Sequence, residues 1–82
     1  MNNTLTNGLK VLEFLAATGQ THSVKELAGI FKLPNSHICR LLKTLCEGNY
    51  IEQDKNRKYR ISLKVLNLSN ACLARLGIRG RL

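Results

Sequence analysis

Ser23-Val24-Lys25-Glu26 stands immediately ahead of apolar residues set at helical intervals. The Ser-x-x-Glu spacing is that of a capping box, in which the hydroxyl and the carboxylate each satisfy a backbone amide left free at a helix start. Val24, Leu27, Ala28 and Phe31 then fall at i, i+3, i+4 and i+7, one apolar face. Leu33-Pro34 interrupts that run, and Ile38, Leu41, Leu42 and Leu45 repeat the pattern beyond it. Proline suits a first helical position, so the spacing predicts helices over about 24–32 and 34–47 joined by a very tight turn. The rest of the chain has to conform to a helix, turn, helix order.

The second of these helices turns a mainly basic stripe away from its apolar face. At about 100° per residue, Ser36, Arg40, Lys43 and Glu47 lie within about 40° of the direction opposite the core, with Thr44 and His37 on one shoulder and Cys39 on the other. A helix presented this way fits the major groove of duplex DNA, where its N-terminal residues reach base edges and its cations take phosphate. Alone, such a stripe reads more simply as a solvated face. The segment that follows favours the groove.

Gly48-Asn49 is a good helix stop, because either residue tolerates the left-handed conformation that closes a helix. Residues 50–54 and 58–62 read as two strands around the turn Lys55-Asn56-Arg57, with Ile51, Tyr59 and Ile61 able to face inward. The turn projects Lys55, Arg57 and Lys58 as a cationic tip. A hairpin of this kind after a recognition helix is a wing, and its charges would lie along the neighbouring groove and its phosphates. The plainer alternative is a solubilising turn. The candidate DNA contacts are therefore Asn35, Ser36, His37, Arg40, Lys43 and Thr44 on the helix, and Lys55, Arg57 and Lys58 on the wing.

A helix over about 5–18, an extended segment near Thr21-His22 and a final helix from about Leu63 to Leu76 complete the expected order α, α, α, β, β, α. The fold class is mainly α with a small β-hairpin: a winged helix-turn-helix with a three-helix core, a wing and a C-terminal linker helix. Residues 1–62 form the DNA-binding domain in this reading, and residues 63–82 the linker or dimerisation helix and tail. On the first helix, Leu5, Leu9, Leu12 and Ala16 make the stripe expected to be buried, which leaves Val11 and Phe14 pointing away from it. Val65, Leu68, Cys72 and Leu76 form one seam of the last helix, with Leu66, Leu73 and Ala74 beside or behind it. Monomeric domains seldom leave such patches wet, so Val11, Phe14, Leu66 and Leu73 are the expected contacts of a homodimer.

Composition bounds the alternatives. Eighty-two residues make one domain, and a chain this short buries only roughly 60 to 65% of its unfolded surface, so a partner chain would help its core. Lys and Arg number 13 against 5 acidic residues, for a net charge of +8 and a pI near 10.0, which fits a polyanion. The aromatic side chains are two Tyr and two Phe, with no exposed stacking pattern, which argues for duplex DNA over single strands. No stretch approaches the ~20 apolar residues of a membrane span, and the start lacks a signal-peptide pattern, so the expected location is cytoplasmic, with no membrane partner.

Three cysteines and two histidines lack the spacing of a metal site, with no Cys-x-x-Cys pair, and no cofactor is expected. Cys46 and Cys72 read as small buried apolar residues, whereas Cys39 on the flank of the recognition helix reads as exposed. Serines 23, 36, 62 and 69 have no base and orienting partner, and no glycine-rich phosphate loop or carboxylate pair occurs, so the chain is expected not to be an enzyme. The competing classes are a winged-helix adaptor that binds protein without DNA and a basic module on a membrane surface. An adaptor needs no basic recognition stripe, so Ser36, Arg40 and Lys43 together with the cationic wing favour DNA. A chain this small offers no pocket-sized apolar lining, so no small-molecule effector is expected to act on it.

These segments resemble the amino-terminal winged helix-turn-helix domain of the IclR-type bacterial transcriptional regulators. Residues 4–15 are similar to that family's opening helix, residues 33–45 with their proline, Ser36 and Arg40-Leu41-Leu42 to its recognition segment, residues 48–52 and 58–61 to its wing, and Leu63 onward to its linker helix. The chain departs from the family at Asn7, where a basic residue is common, and at His37, where a small hydroxyl is common. The resemblance implies pairing through the first and last helices, with two recognition helices on successive major-groove turns of a pseudo-palindromic operator. It also implies a larger effector-binding domain beyond Leu82, which leaves an excised domain and a stand-alone relative as alternatives.

Overall fold

The computed structural model describes residues 3–76, without the side chains at positions 66, 69, 70, 73, 74 and 76. Helices α1 (Asn3–Thr18), α2 (Val24–Phe31) and α3 (Asn35–Glu47) precede strands β1 (Ile51–Gln53) and β2 (Tyr59–Ile61), and α4 (Leu63–Leu76) follows. That order is the one the periodicities predict. The capping box forms in full: Glu26 N–H donates to Ser23 Oγ at 3.1 Å and Ser23 N–H donates to Glu26 Oε1 at 3.3 Å. Ser23→Ala is expected to lower stability by about 1 kcal/mol in a denaturant titration.

The turn between α2 and α3 depends on backbone rather than on glycine. Lys32 takes the left-handed conformation (φ 56°, ψ 45°), and the N–H groups of Lys32 and Leu33 both reach Ala28 O. Pro34 then sits at the cap of α3 with an extended backbone, one position earlier than the first-turn place that the sequence suggested. The end of α3 falls at the Gly48-Asn49 stop that the sequence predicts, with the asparagine in the closing role. Asn49 adopts the left-handed conformation (φ 64°) while Gly48 does not, and Asn49 N–H and Tyr50 N–H return to Cys46 O and Leu45 O. Gly48 is needed for space instead, because a Cβ there would lie 2.7 Å from the Tyr50 ring.

The core is one cluster shared by three helices and the hairpin: Val11, Leu15, Leu27, Ala28, Ile38, Leu41, Leu42 and Ile51. The expected face of α1 was wrong. Val11 and Leu15 are fully buried, Phe14 is half-buried with its ring edge-on to Phe31 at 5.7 Å, and Leu5 and Leu9 are 61% and 51% exposed. Ala16 is exposed as well. The buried set 8, 11 and 15 is rotated by roughly 100° from the set 5, 9, 12 and 16. Both sets keep helical spacing on an apolar helix, so periodicity could not choose. On the buried side Gly8 lies against Leu41 of α3, and Phe14 meets Phe31 and the His22 ring. Val11 and Phe14 are thus consumed by their own core and are not a free surface.

The hairpin is antiparallel, with Ile51 opposite Ile61, Glu52 opposite Arg60 and Gln53 opposite Tyr59. Ile51 is buried and Tyr59 and Ile61 are half-buried, as the alternation required, while Glu52 and Arg60 face solvent 3.6 Å apart. A single antiparallel bridge from His22 to Tyr59 attaches β2 to the segment between α1 and α2. The start of α4 is tied back to the end of α3: Ser62 Oγ donates to Asn49 O, and Lys64 Nζ donates to Gly48 O at 2.8 Å while lying over the Tyr50 ring. On α4, Leu63 and Leu68 are 66% and 53% exposed. Cys72 is also exposed, against the sequence expectation, because no part of the core reaches it. Leu66 and Leu73 lie outside the described side chains.

Candidate nucleic-acid interface

Burying Ile38, Leu41 and Leu42 fixes the rotation of α3, and the opposite side is then solvent. Asn35, Ser36, Arg40, Lys43 and Thr44 are all exposed, together with Cys39 and Glu47. Thr44 Oγ1 donates to Arg40 O at 3.1 Å, so its proton is used within the helix and its lone pairs face outward. No side chain caps α3, because the cap position is Pro34. Its first turn therefore offers amides and a partial positive charge at the end where Asn35 and Ser36 stand. His37 is less available than the sequence suggested. It is half-buried, and its Nε2 is enclosed without a hydrogen-bond partner among the described residues.

The wing tip is built by a residue that charge counting passed over. Asp54 O accepts from Arg57 N–H at 3.1 Å, and its carboxylate accepts from Asn56 N–H and Lys58 N–H at 2.8 and 2.9 Å. These contacts, the bond from Lys58 N–H first, hold the Asp54 carboxyl below its ordinary value. They leave Lys55, Arg57 and Lys58 exposed around a tight turn in which Arg57 is left-handed (φ 64°). The signal available in the sequence was Asp at the head of a polar turn, since Asp side chains bond backbone amides two residues on.

An open groove of about 250 Å³ runs between α1 and α3, lined by Leu5, Gly8, Leu9, Leu41 and Leu45, with Arg40 and Thr44 at its rim. The sequence reading expected no such lining. That expectation rested on the small size of the chain, and the rotated α1 places Leu5 and Leu9 here instead of in the core. The groove is smaller than the roughly 300 to 1,000 Å³ of ordinary ligand pockets. Burial pushes the Cys46 thiol up, which leaves it protonated and unreactive near neutrality. Among the described residues no group of three or more His, Cys, Asp or Glu is placed to hold a metal, and no helix is long and apolar enough to cross a membrane.

The IclR helix-turn-helix domain, as a family sequence pattern, matches residues 4–55. The HTH-type transcriptional repressor AllR of Salmonella typhimurium is 34% identical over 68 residues, which are 82% of this chain and 25% of the repressor, and AllR of Salmonella typhi aligns equally. Among solved structures, an IclR family transcriptional regulator from Brucella abortus superposes with a TM-score of 0.80 at 31% identity, over 93% of this chain and 29% of its own. Pseudomonas aeruginosa HmgR superposes at 0.83 with 23% identity over 94% of this chain and 33% of its own, a likeness of fold alone. The chain thus spans about a quarter of the length of the curated relatives it matches.

Proposed function

This chain belongs to the IclR helix-turn-helix family of DNA-binding transcription regulators, and from that premise we propose that it reads one duplex sequence with α3 in the major groove and the 55–58 wing tip on the backbone or minor groove. The supporting observation is the outward face of α3, where Asn35, Ser36, Arg40 and Lys43 are exposed on a helix without a side-chain cap. Phosphate contacts from the wing and Lys43 give affinity, and contacts from the first turns of α3 to base edges give discrimination. Selection of bound duplexes from a randomised pool tests this, followed by competition at two salt concentrations. Enrichment of one motif that resists nonspecific competitor supports the reading, and a pool that stays random at low salt overturns it.

Pairing of two copies belongs to the same proposal, with residues that differ from the sequence expectation. Among the described side chains of the two end helices, the large apolar ones left exposed are Leu5 and Leu9 on α1 and Leu63 and Leu68 on α4, while Val11 and Phe14 are spent in the core. A two-fold pair would set its recognition helices roughly 34 Å apart, or a multiple of that, on a near-palindromic operator. Leu9→Glu and Leu68→Glu are expected to abolish pairing on DNA in sedimentation equilibrium without altering binding to one half-site. Wild type that remains monomeric on a two-half-site operator contradicts pairing.

A further inference from the structure

His22 is the buried polar residue of the described core, 7% exposed, and three parts of the fold close on it. Its backbone exchanges two hydrogen bonds with Tyr59 of β2, His22 N–H to Tyr59 O at 2.9 Å and Tyr59 N–H to His22 O at 2.8 Å. Its ring Nε2 lies 2.9 Å from Thr18 Oγ1 at the end of α1, and its Nδ1 lies 3.0 Å from Glu26 Oε2 in the first turn of α2. The Phe14 ring covers it at 5.0 Å between centroids. Both ring nitrogens and both backbone groups are therefore engaged inside the protein, which leaves His22 no polar atom with which to touch a ligand.

That arrangement matters for the wing. Ile51, Tyr59 and Ile61 pack the hairpin against the helical core, but its backbone link to the segment between α1 and α2 is an isolated one-residue bridge, without neighbouring rungs to hold its register. The segment leading into it has little packing of its own, with Gly19 left-handed (φ 63°) and Gly19 and Gln20 both exposed. Gly19 N–H to Leu15 O, Gln20 N–H to Thr18 Oγ1 and the Ser23 cap hold the two ends of that segment, and the ring, held from α1 on one nitrogen and from α2 on the other, ties its middle to both helices. We propose that His22 is a positioning residue for DNA binding: gripped by Thr18 and Glu26, it holds the wing at the angle from which Lys55, Arg57 and Lys58 meet the DNA backbone. The inference rests on the reading of the wing as a DNA contact. An ordinary buried histidine would contribute to stability and leave the work of Lys55 unchanged.

The test measures the slope of log K against log salt on the selected operator for Lys55→Ala in three backgrounds: wild type, His22→Ala and Thr18→Val. Thr18→Val keeps the shape and removes the partner of Nε2, so it serves if His22→Ala does not fold. In wild type, Lys55→Ala flattens the slope by about one unit. In Thr18→Val and His22→Ala, whose own binding is roughly tenfold weaker at about 0.1 M salt because the wing cations are displaced, the same substitution changes the slope by close to zero. Thr18→Ser, which retains the hydroxyl, restores the wild-type response. A one-unit change in all three backgrounds overturns the positioning role and leaves the wing reading intact. No change in wild type overturns the wing reading, and the positioning role with it.

Discussion

Leu42→Ala is expected to remove about 3 to 4 kcal/mol of unfolding free energy, the largest effect foreseen for a single substitution in this chain. Leu42 is fully buried on α3, within the one cluster that holds α1, α2, α3 and β1 together. Truncation there costs the transfer energy of the lost methyls and adds a cavity that the surrounding helices close only in part. A domain of this size has roughly 4 to 12 kcal/mol in total, so the loss would be about a quarter of its stability or more. Urea titration at constant m-value provides the measurement. Leu9→Ala is the informative companion. Half-exposed on α1, it is expected to cost under about 1 kcal/mol, and equal losses from the two substitutions would refute the rotation of α1 described above.

Arg40→Ala is expected to weaken operator binding by about 1 to 3 kcal/mol and to relax preference at one base position, with the melting temperature unchanged. Arg40 stands on the exposed side of α3, opposite Ile38, and makes no ion pair with any described carboxylate. A free guanidinium fork on a groove-sized helix matches the O6 and N7 acceptors of guanine. Lys43→Ala is expected to act differently, weakening all duplexes alike and flattening the salt slope by about one unit. Binding of a panel of single-base operator variants by wild type and by Arg40→Ala separates these outcomes. Identical preference profiles would remove Arg40 from base reading.

Acid should weaken the start of α2. Hydrogen bonding to His22, then to the Ser23 amide, holds the Glu26 carboxyl below its ordinary value of 4.5. A depressed carboxylate contributes stability that is present in full above the unfolded value and is lost as pH falls through the folded one. Melting temperatures of wild type should therefore drop below about pH 4.5 more steeply than those of Glu26→Gln. Parallel curves would show that the pair does not contribute.

Local signals carried the element order. The capping box at Ser23 and Glu26, the i, i+3, i+4, i+7 runs of α2 and α3, and the alternation around the 55–57 turn each depend on neighbours within a few residues. The outward residues of α3 were legible for the same reason, since four apolar positions on one side leave little choice for the other. The wing cations were also legible, although the Asp54 bonds that shape their turn were not read.

What the sequence determined by itself was thus the identity and order of the elements, the polar face of α3 and the basic balance of the chain, because those follow from short-range spacing and simple counts. Tertiary structure alone decided which side of α1 is inside. That helix carries two apolar stripes, and the packing of Val11 and Leu15 into the shared core, with the rings of Phe14, His22 and Phe31 beside them, selects one of them. It also decided that Cys72 is exposed and that His22 joins α1, α2 and β2. No spacing rule relates His22 to Tyr59, because a partner made by folding is chosen by distance in space, and separation along the chain carries no record of it.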